Sequence, residues 1–575
     1  MSIKYFLITI LLLLVYCTNA QEFKAFGLFG EGKPLKLTGG INTSAISNFS
    51  SDQMGASLNL VVGGAFNLNV NGIDLPFNFT FSNTHLSSSF QPIPLNRFTI
   101  HPKYKNFTLH LGTINKTFSE YSLNGFQFNG AAIDYEKSKL KLTFLGGKFL
   151  RGSGDYNANP LATPSYSRIG EGVSATYELK KDILIGANIF HAKDNLNSAS
   201  NIPIEHLIFP KENIVSSINT IATITPQFKF SAEYANNLLT ANLNDPIKYA
   251  GANSFSGLLH ANNSTNKKGA FKSNVGYDFN IMKLGLEYER VDINYESLGS
   301  LYTINGFENA LMTFSLPLLE SKILIDSRIG IQSDLVDSAF TQKSGRLLTA
   351  VNFSYRVNKK LFFNGSINNN KTVTNIRNLN TIQTTNNLVP FYLDSLRFVQ
   401  LNMNANLNGN YQLKATDDEN SFLSGNYSYQ KGGSKQGTYF LDEQGSVFHN
   451  ANIALFTMYP KKNTRWSVSM DYTSITQGFA SNNTKSYGVS FNFGKKLFDK
   501  KLNINIGSGY NTSYTPSNSL RVNVTNFKTS AGYTLFKKHI FSFNTIFQVL
   551  NRSSITLPMH ARTFGFSSLN YNYNF

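Results

Sequence analysis

From Leu401 to Leu413 every second residue is Leu, Met, Ala, Gly or Tyr, and between them stand Asn402, Asn404, Asn406, Asn408 and Asn410. A strand sends successive side chains to opposite faces, so a period of two means one apolar face and one polar face. The same texture runs through FNLNVNGIDLPFNFTF (66–81), KLKLTF (139–144), QFKFSAEY (227–234), RWSVSMDY (465–472), YGVSFNF (487–493) and KLNINIG (501–507). Asn71-Gly72 falls between two such runs and marks a tight hairpin. Heptads and 3.6-residue apolar spacing are missing, so little helix is expected.

The connections alternate in length. Short basic turns close one set of hairpins, as in EKSK (136–139), KKD (180–182), NKK (358–360), PKKN (460–463) and Lys537-Lys538. Longer stretches rich in Asn, Ser, Gly and Thr join those hairpins, as at 151–170, 193–214, 238–268, 370–397 and 431–447. Short turns at one end and long loops at the other describe an up-and-down transmembrane barrel. The pattern gives an all-β chain: one large antiparallel barrel of about 22 to 26 strands, with short periplasmic turns and longer extracellular loops.

A soluble β-sandwich would show the same alternation. Three features favour lipid. Aromatic residues flank the short turns: Tyr135, Tyr177, Tyr355, Phe362, Tyr459, Trp466, Phe493, Phe498, Tyr533 and Phe536. Amphipathic rings of this kind collect at headgroup depth. The strands read as about 9 to 13 residues, longer than sandwich strands and suited to a tilted crossing. The chain ends SSLNYNYNF, with Leu569, Tyr571, Tyr573 and Phe575 alternating up to the last residue.

That last strand resembles the C-terminal assembly signal of Gram-negative outer-membrane β-barrel proteins. The wealth of Asn, Lys, Phe and Tyr, with Gln21 after a cleavage site, resembles those of the Bacteroidota. The resemblance implies outer-membrane lipid and the barrel assembly machinery as partners. The opening MSIKYFLITILLLLVYCTNAQ fits a secretory signal peptide cut after Ala20: Lys4, an apolar run from Tyr5 to Val15, then Thr18 and Ala20. Eleven apolar residues are too few for a spanning helix, which needs about 20. The expected organisation is 1–20 signal peptide, 21–33 a short N-terminal segment and 34–575 the barrel.

Cys17 is the only cysteine, so the exported chain would hold itself without disulfides. Charged residues make up 15% of the chain, against about 25% in ordinary soluble domains. The net charge of +18 lies largely in the short turns, and no basic surface with interleaved stacking aromatics suggests nucleic acid. GLFGEGKP (27–34) lacks the Ser or Thr that a phosphate loop needs after Lys33; Pro34 stands there. The nine histidines form no HExxH, and no GxSxG occurs. No catalytic, metal or cofactor role is assigned, and no enzyme activity is expected.

Function, if written anywhere, lies on the polar face. Alternation turns Lys141, Lys229, Glu233, Lys272, Asp278, Glu287, Glu289, Asp326, Arg328, Arg356, Asn402, Asn404, Asn406, Asp471, Arg521 and Lys528 inward. In LGLEYERVDINYE (284–296) the apolar phase shifts to Val291, Ile293 and Tyr295, which predicts a bulge near Arg290. So wide a lumen needs occluding, by the loops at 238–268 and 370–397 or by a partner protein. The leading expectation is a passage, a diffusion channel or translocation pore. The other is a closed-lumen interaction protein that binds a partner through its loops.

Overall fold

The computed structural model describes residues 36–51, 57–70, 73–83, 96–158, 164–246, 259–300, 305–335, 345–375, 397–436, 439–477, 482–554 and 560–575. The expected signal peptide and the 27–34 loop lie outside these residues.

The first half of the wall runs β1 (Lys36–Ser50), β2 (Ser57–Val70), β3 (Ile73–Ser82), β4 in two pieces (Arg97–Ile100 and Lys103–Tyr104), β5 (Phe107–Asn115), β6 (Gln127–Lys137), β7 (Leu140–Leu150), β8 (Ser167–Lys180), β9 (Ile183–Asn195), β10 (Glu212–Thr223), β11 (Phe228–Thr240), β12 (Thr265–Asp278) and β13 (Lys283–Val291). The second half runs β14 (Phe307–Leu318), β15 (Ile323–Asp334), β16 (Gly345–Arg356), β17 (Leu361–Asn375), β18 (Arg397–Ala415), β19 (Asn420–Gln436), β20 (Tyr439–Tyr459), β21 (Thr464–Gln477), β22 (Asn482–Leu497), β23 (Leu502–Thr515), β24 (Leu520–Leu535), β25 (His539–Ser553) and β26 (His560–Asn574). Every strand pairs antiparallel with its sequence neighbours, and β26 returns to β1, so the 26 strands close a ring. Closure leaves no unpaired edge, which lets a sheet stand in lipid without orphaned backbone groups. With strands ~4.8 Å apart and tilted ~40°, a circular ring of this size measures ~50 Å across.

The seam runs from Gly40–Asn574 to Ser50–Phe564 in continuous register. Phe575 extends it: its amide donates to the Gly39 carbonyl at 3.1 Å and its ring stacks on Phe66 at 5.4 Å. Gly39 sits at φ +146°, and a Cβ there would fall 2.2 Å from the Ala65 carbonyl oxygen. The backbone at the start of the seam therefore requires glycine.

The alternation read in the sequence survives, with departures. The stretch 431–447, expected as a loop, is mostly strand: β19 and β20 run on to Gln436 and from Tyr439, with a register shift between Gly432 and Ser434. β20 alone reaches 21 residues, well past the 13 expected. A crossing needs only about 9–11 residues, so the surplus extends the hairpin beyond it. The bulge expected near Arg290 is missing, because β13 pairs in unbroken register through Val291 on both sides. Phe362, expected among the outer aromatics, pairs with Arg356 on the inner face.

Candidate functional site

One face of the ring is touched by loops that enter the barrel, and this fixes the inside. Lys272 on β12 donates to Glu120 at 2.9 Å, and Tyr121 donates to Glu289 on β13 at 2.8 Å. From that anchor the register carries the inner face around the wall. Lys229, Glu233, Lys272, Asp278, Glu287 and Glu289 fall on it from β11 to β13. Asp326, Arg328 and Arg356 follow on β15 and β16, and Asn404 and Asn406 on β18. Asn402 holds the matching position opposite Asn370 and Gly432. Asp471 on β21, Lys528 on β24 and Lys141 on β7 share the same face. Arg521 departs from the expectation. It pairs with Tyr514 and Ser553 on the outer face, because β24 puts Lys528 inward and position 521 is an odd number of residues away.

Among the described residues two loops fill part of the lumen; of the stretches expected to do so, 247–258 and 376–396 lie outside the described residues. One joins β5 to β6 through TFSEYSLNGF (117–126), and the other leaves β13 as DINYESLGS (292–300). Each carries Tyr, Ser and Leu in that order, and Tyr121, Ser122, Leu123, Tyr295, Ser297 and Leu298 are all buried. The loops bridge each other at Asn124, Gly125 and Ser300. The Asn124 amide donates to the Gly299 carbonyl at 3.0 Å, the Tyr295 hydroxyl to the Tyr121 carbonyl at 2.9 Å, and the Ser297 hydroxyl to the Ser122 carbonyl.

The wall beneath them is not uniformly polar, which corrects the simple expectation of a wet interior. Phe128, Phe149 and Phe190 turn inward and pack under Leu123, Phe126 and Leu298 as a small core. Phe128 and Phe149 stack at 4.6 Å. Glycine makes the seat: a Cβ at Gly170 would stand 2.6 Å from the Phe149 ring, and one at Gly299 would stand 2.5 Å from Phe190. A second cluster joins Tyr121 and Tyr295 to Val215, Ala235, Ala270, Val291 and Phe307. Val291 therefore faces the lumen because loop atoms, not water, cover it.

Polar groups pin the same contact. Ser122 donates to Asn188 at 2.8 Å, and Asn188 to Ser217 at 2.7 Å. Asn237 donates to the Glu296 carbonyl at 2.7 Å, and Lys211 grips the Glu296 carboxylate at 2.7 Å. At the root of the first loop Lys116 meets Asp134 at 2.5 Å, and His110 meets the same carboxylate at 2.9 Å. Burial, with Glu289 beside it, pushes the Tyr121 hydroxyl above the ordinary phenol range, so it stays a donor. Burial does the same to Tyr295.

Around the rest of the ring the inward groups bond to one another across strands. Asn404 donates to Asn368 at 3.2 Å, Asn426 to Asn408, Asn450 to Thr473 at 2.9 Å and Asn505 to Ser530 at 3.1 Å. Ser469 meets Ser490 at 2.8 Å and Ser486 meets Ser513 at 2.6 Å. The charged residues foreseen on β11 to β15 run from the inserted loops, at Lys272 and Glu289, down to the short-turn end, at Lys229 and Asp278. Arg328 pairs with Glu287, and Lys283 lies 3.5 Å from Asp278. A cavity of about 760 Å³ opens among them towards the short-turn end, lined by Lys229, Asp278, Glu287, Asp326 and Arg328. Among the described residues no group of three or more His, Cys, Asp or Glu is placed to hold a metal ion.

No family model and no curated protein matches the chain. It is similar to several solved structures at low identity. BauA, the ferric preacinetobactin receptor from Acinetobacter baumannii, shares 8% identity over 94% of this chain and 81% of its own, with a TM-score of 0.35. The ferric enterobactin receptor PfeA from Pseudomonas aeruginosa shares 10% over 93% and 80%, with a TM-score of 0.43. The translocation pore of the P pilus usher PapC shares 8% over 94% and 100%, with a TM-score of 0.42.

Proposed function

We propose that this chain is an outer-membrane β-barrel that gives water-soluble, largely uncharged polar solutes a passage along one side of its lumen. The observation that carries this reading is the division of the inner wall. The arc from β17 to β26 presents amide and hydroxyl ladders such as Asn404–Asn368 and Ser486–Ser513. The arc from β5 to β14 holds the inserted loops and much of the inward charge. Amides and hydroxyls exchange hydrogen bonds with hydroxyl-bearing solutes without the desolvation penalty of bare charge. The loops narrow the lumen without needing a separate plug protein.

The outer wall supports a lipid environment. Ile218, Leu286, Met470 and Phe491 are exposed on it, and exposed apolar bands of this extent mark membrane contact. Leu569, Tyr571, Tyr573 and Phe575 share that wall, where the assembly machinery would meet them.

Conductance of the purified barrel in planar bilayers tests the reading. Open-channel current with weak preference between small cations and anions is expected, together with uptake of neutral sugars by proteoliposomes. A bilayer that stays sealed at every voltage overturns it and leaves the closed-lumen interaction protein.

A further inference from the structure

We propose that Lys485 and Arg521, which flank Tyr514 on the outer wall, seat the phosphate of an anionic lipid in the leaflet at the long-loop end. From the proposed function this takes only that the outer wall meets lipid. Lys485 pairs with Tyr514, and Tyr514 pairs with Arg521, so the two cations stand one strand to either side of the ring. The Arg521 guanidinium lies 6.0 Å from the Tyr514 ring centroid. Two strand spacings separate the cations, about 10 Å, and both side chains are long enough to close on one phosphate between them.

The neighbouring positions carry no acid. Ser474 pairs with Lys485, and Ser553 pairs with Arg521. Two other outward cations at this end are matched: Lys193 lies 3.6 Å from Glu212, and Arg290 lies 3.7 Å from Asp292. Among the described residues Lys485 and Arg521 have no such carboxylate partner. The wall then changes character with depth. From Lys485 the outward residues are Tyr487, Val489 and Phe491, and from Arg521 they are Asn523, Thr525 and Phe527. Charge, then amphipathic groups, then exposed hydrocarbon is the profile of a phosphate headgroup, its interface and its acyl chains. Cations held beside a membrane surface attract anionic headgroups.

The test is native mass spectrometry of the detergent-purified barrel with added diphosphoryl lipid A. The wild type should retain the lipid, and its fully dephosphorylated form should be retained far less. The double variant K485Q/R521Q should lose retention by about tenfold, and K537Q/K538Q, in a short turn at the other end, should keep it. Heat-modifiable migration in SDS gels shows whether each variant has folded. If K485Q/R521Q fails to assemble, the comparison of the two lipid forms on the wild type still decides. Equal retention of both forms overturns the proposal, as does full retention by the folded variant. Complete displacement by millimolar inorganic phosphate overturns it too, by showing a free-anion site. Bilayer conductance is unaffected by any of these outcomes, so the two proposals fail separately.

Discussion

The hydroxyl of Tyr121 donates to the Glu289 carboxylate at 2.8 Å, joining an inserted loop to a wall strand across 168 residues of sequence. Glu289 is 8% exposed, so little water can replace that donor. Tyr121→Phe leaves the carboxylate short of a partner at a cost of about 1–3 kcal/mol. Bilayer recordings should show larger and noisier current, with the barrel still folded. Unchanged current would mean the loop is held without this bond.

The glycine seat predicts a sharper effect. Gly299→Val places side-chain atoms where the Phe190 ring lies, 2.5 Å from the nearest Cβ position. The loops should lift, and conductance should rise. Gly425→Ala is the matched control, since nothing lies within 4 Å of a Cβ there, and it should change neither assembly nor current.

The Asn-rich strand β18 offers a comparison between adjacent residues. Leu407 is 45% exposed on the outer wall, and Asn406 pairs with Ser366 and Ser428 on the inner face. Leu407→Arg should impair insertion, by about 2–4 kcal/mol at mid-depth. Asn406→Arg should assemble normally and shift ion selectivity towards anions. Assembly yields that match for the two would contradict the assignment of faces.

Closure should depend on the last residue. Deleting Phe575 removes its amide bond to Gly39 and its stack on Phe66. Gly39→Ala attacks the same corner from the other side, where a Cβ meets the Ala65 carbonyl. Both variants should slow the appearance of the heat-modifiable form while leaving the rest of the wall able to pair.

The alternation carried most of the fold. It placed the hairpins and the short-turn end, and its parity assigned two faces to each strand. Arg521 was misassigned because an odd number of residues separates it from Lys528, so one regular strand cannot turn both inward. The inserted loops were not legible. A loop that packs on a wall strand looks locally like any polar connection, and its partner lies some 170 residues away. Two traces were nonetheless present. Phe128, Phe149 and Phe190 break the rule of polar inward residues, and the Tyr, Ser and Leu of 121–123 recur at 295–298. Both follow from one cause, a dry patch inside a barrel that is otherwise wet.

The distance between the two loops along the chain sets an order of assembly. Strands β1 to β4 and β15 to β26 form a wall from neighbour pairing alone. The loop after β5 cannot bury Tyr121, Ser122 or Leu123 until β13 and the loop behind it have been delivered. Contacts of such separation form slowly, because loop closure precedes their reward. The interior of this half is therefore completed as a late, single event, and a chain stalled before residue 300 would present an unfinished apolar patch to whatever escorts it.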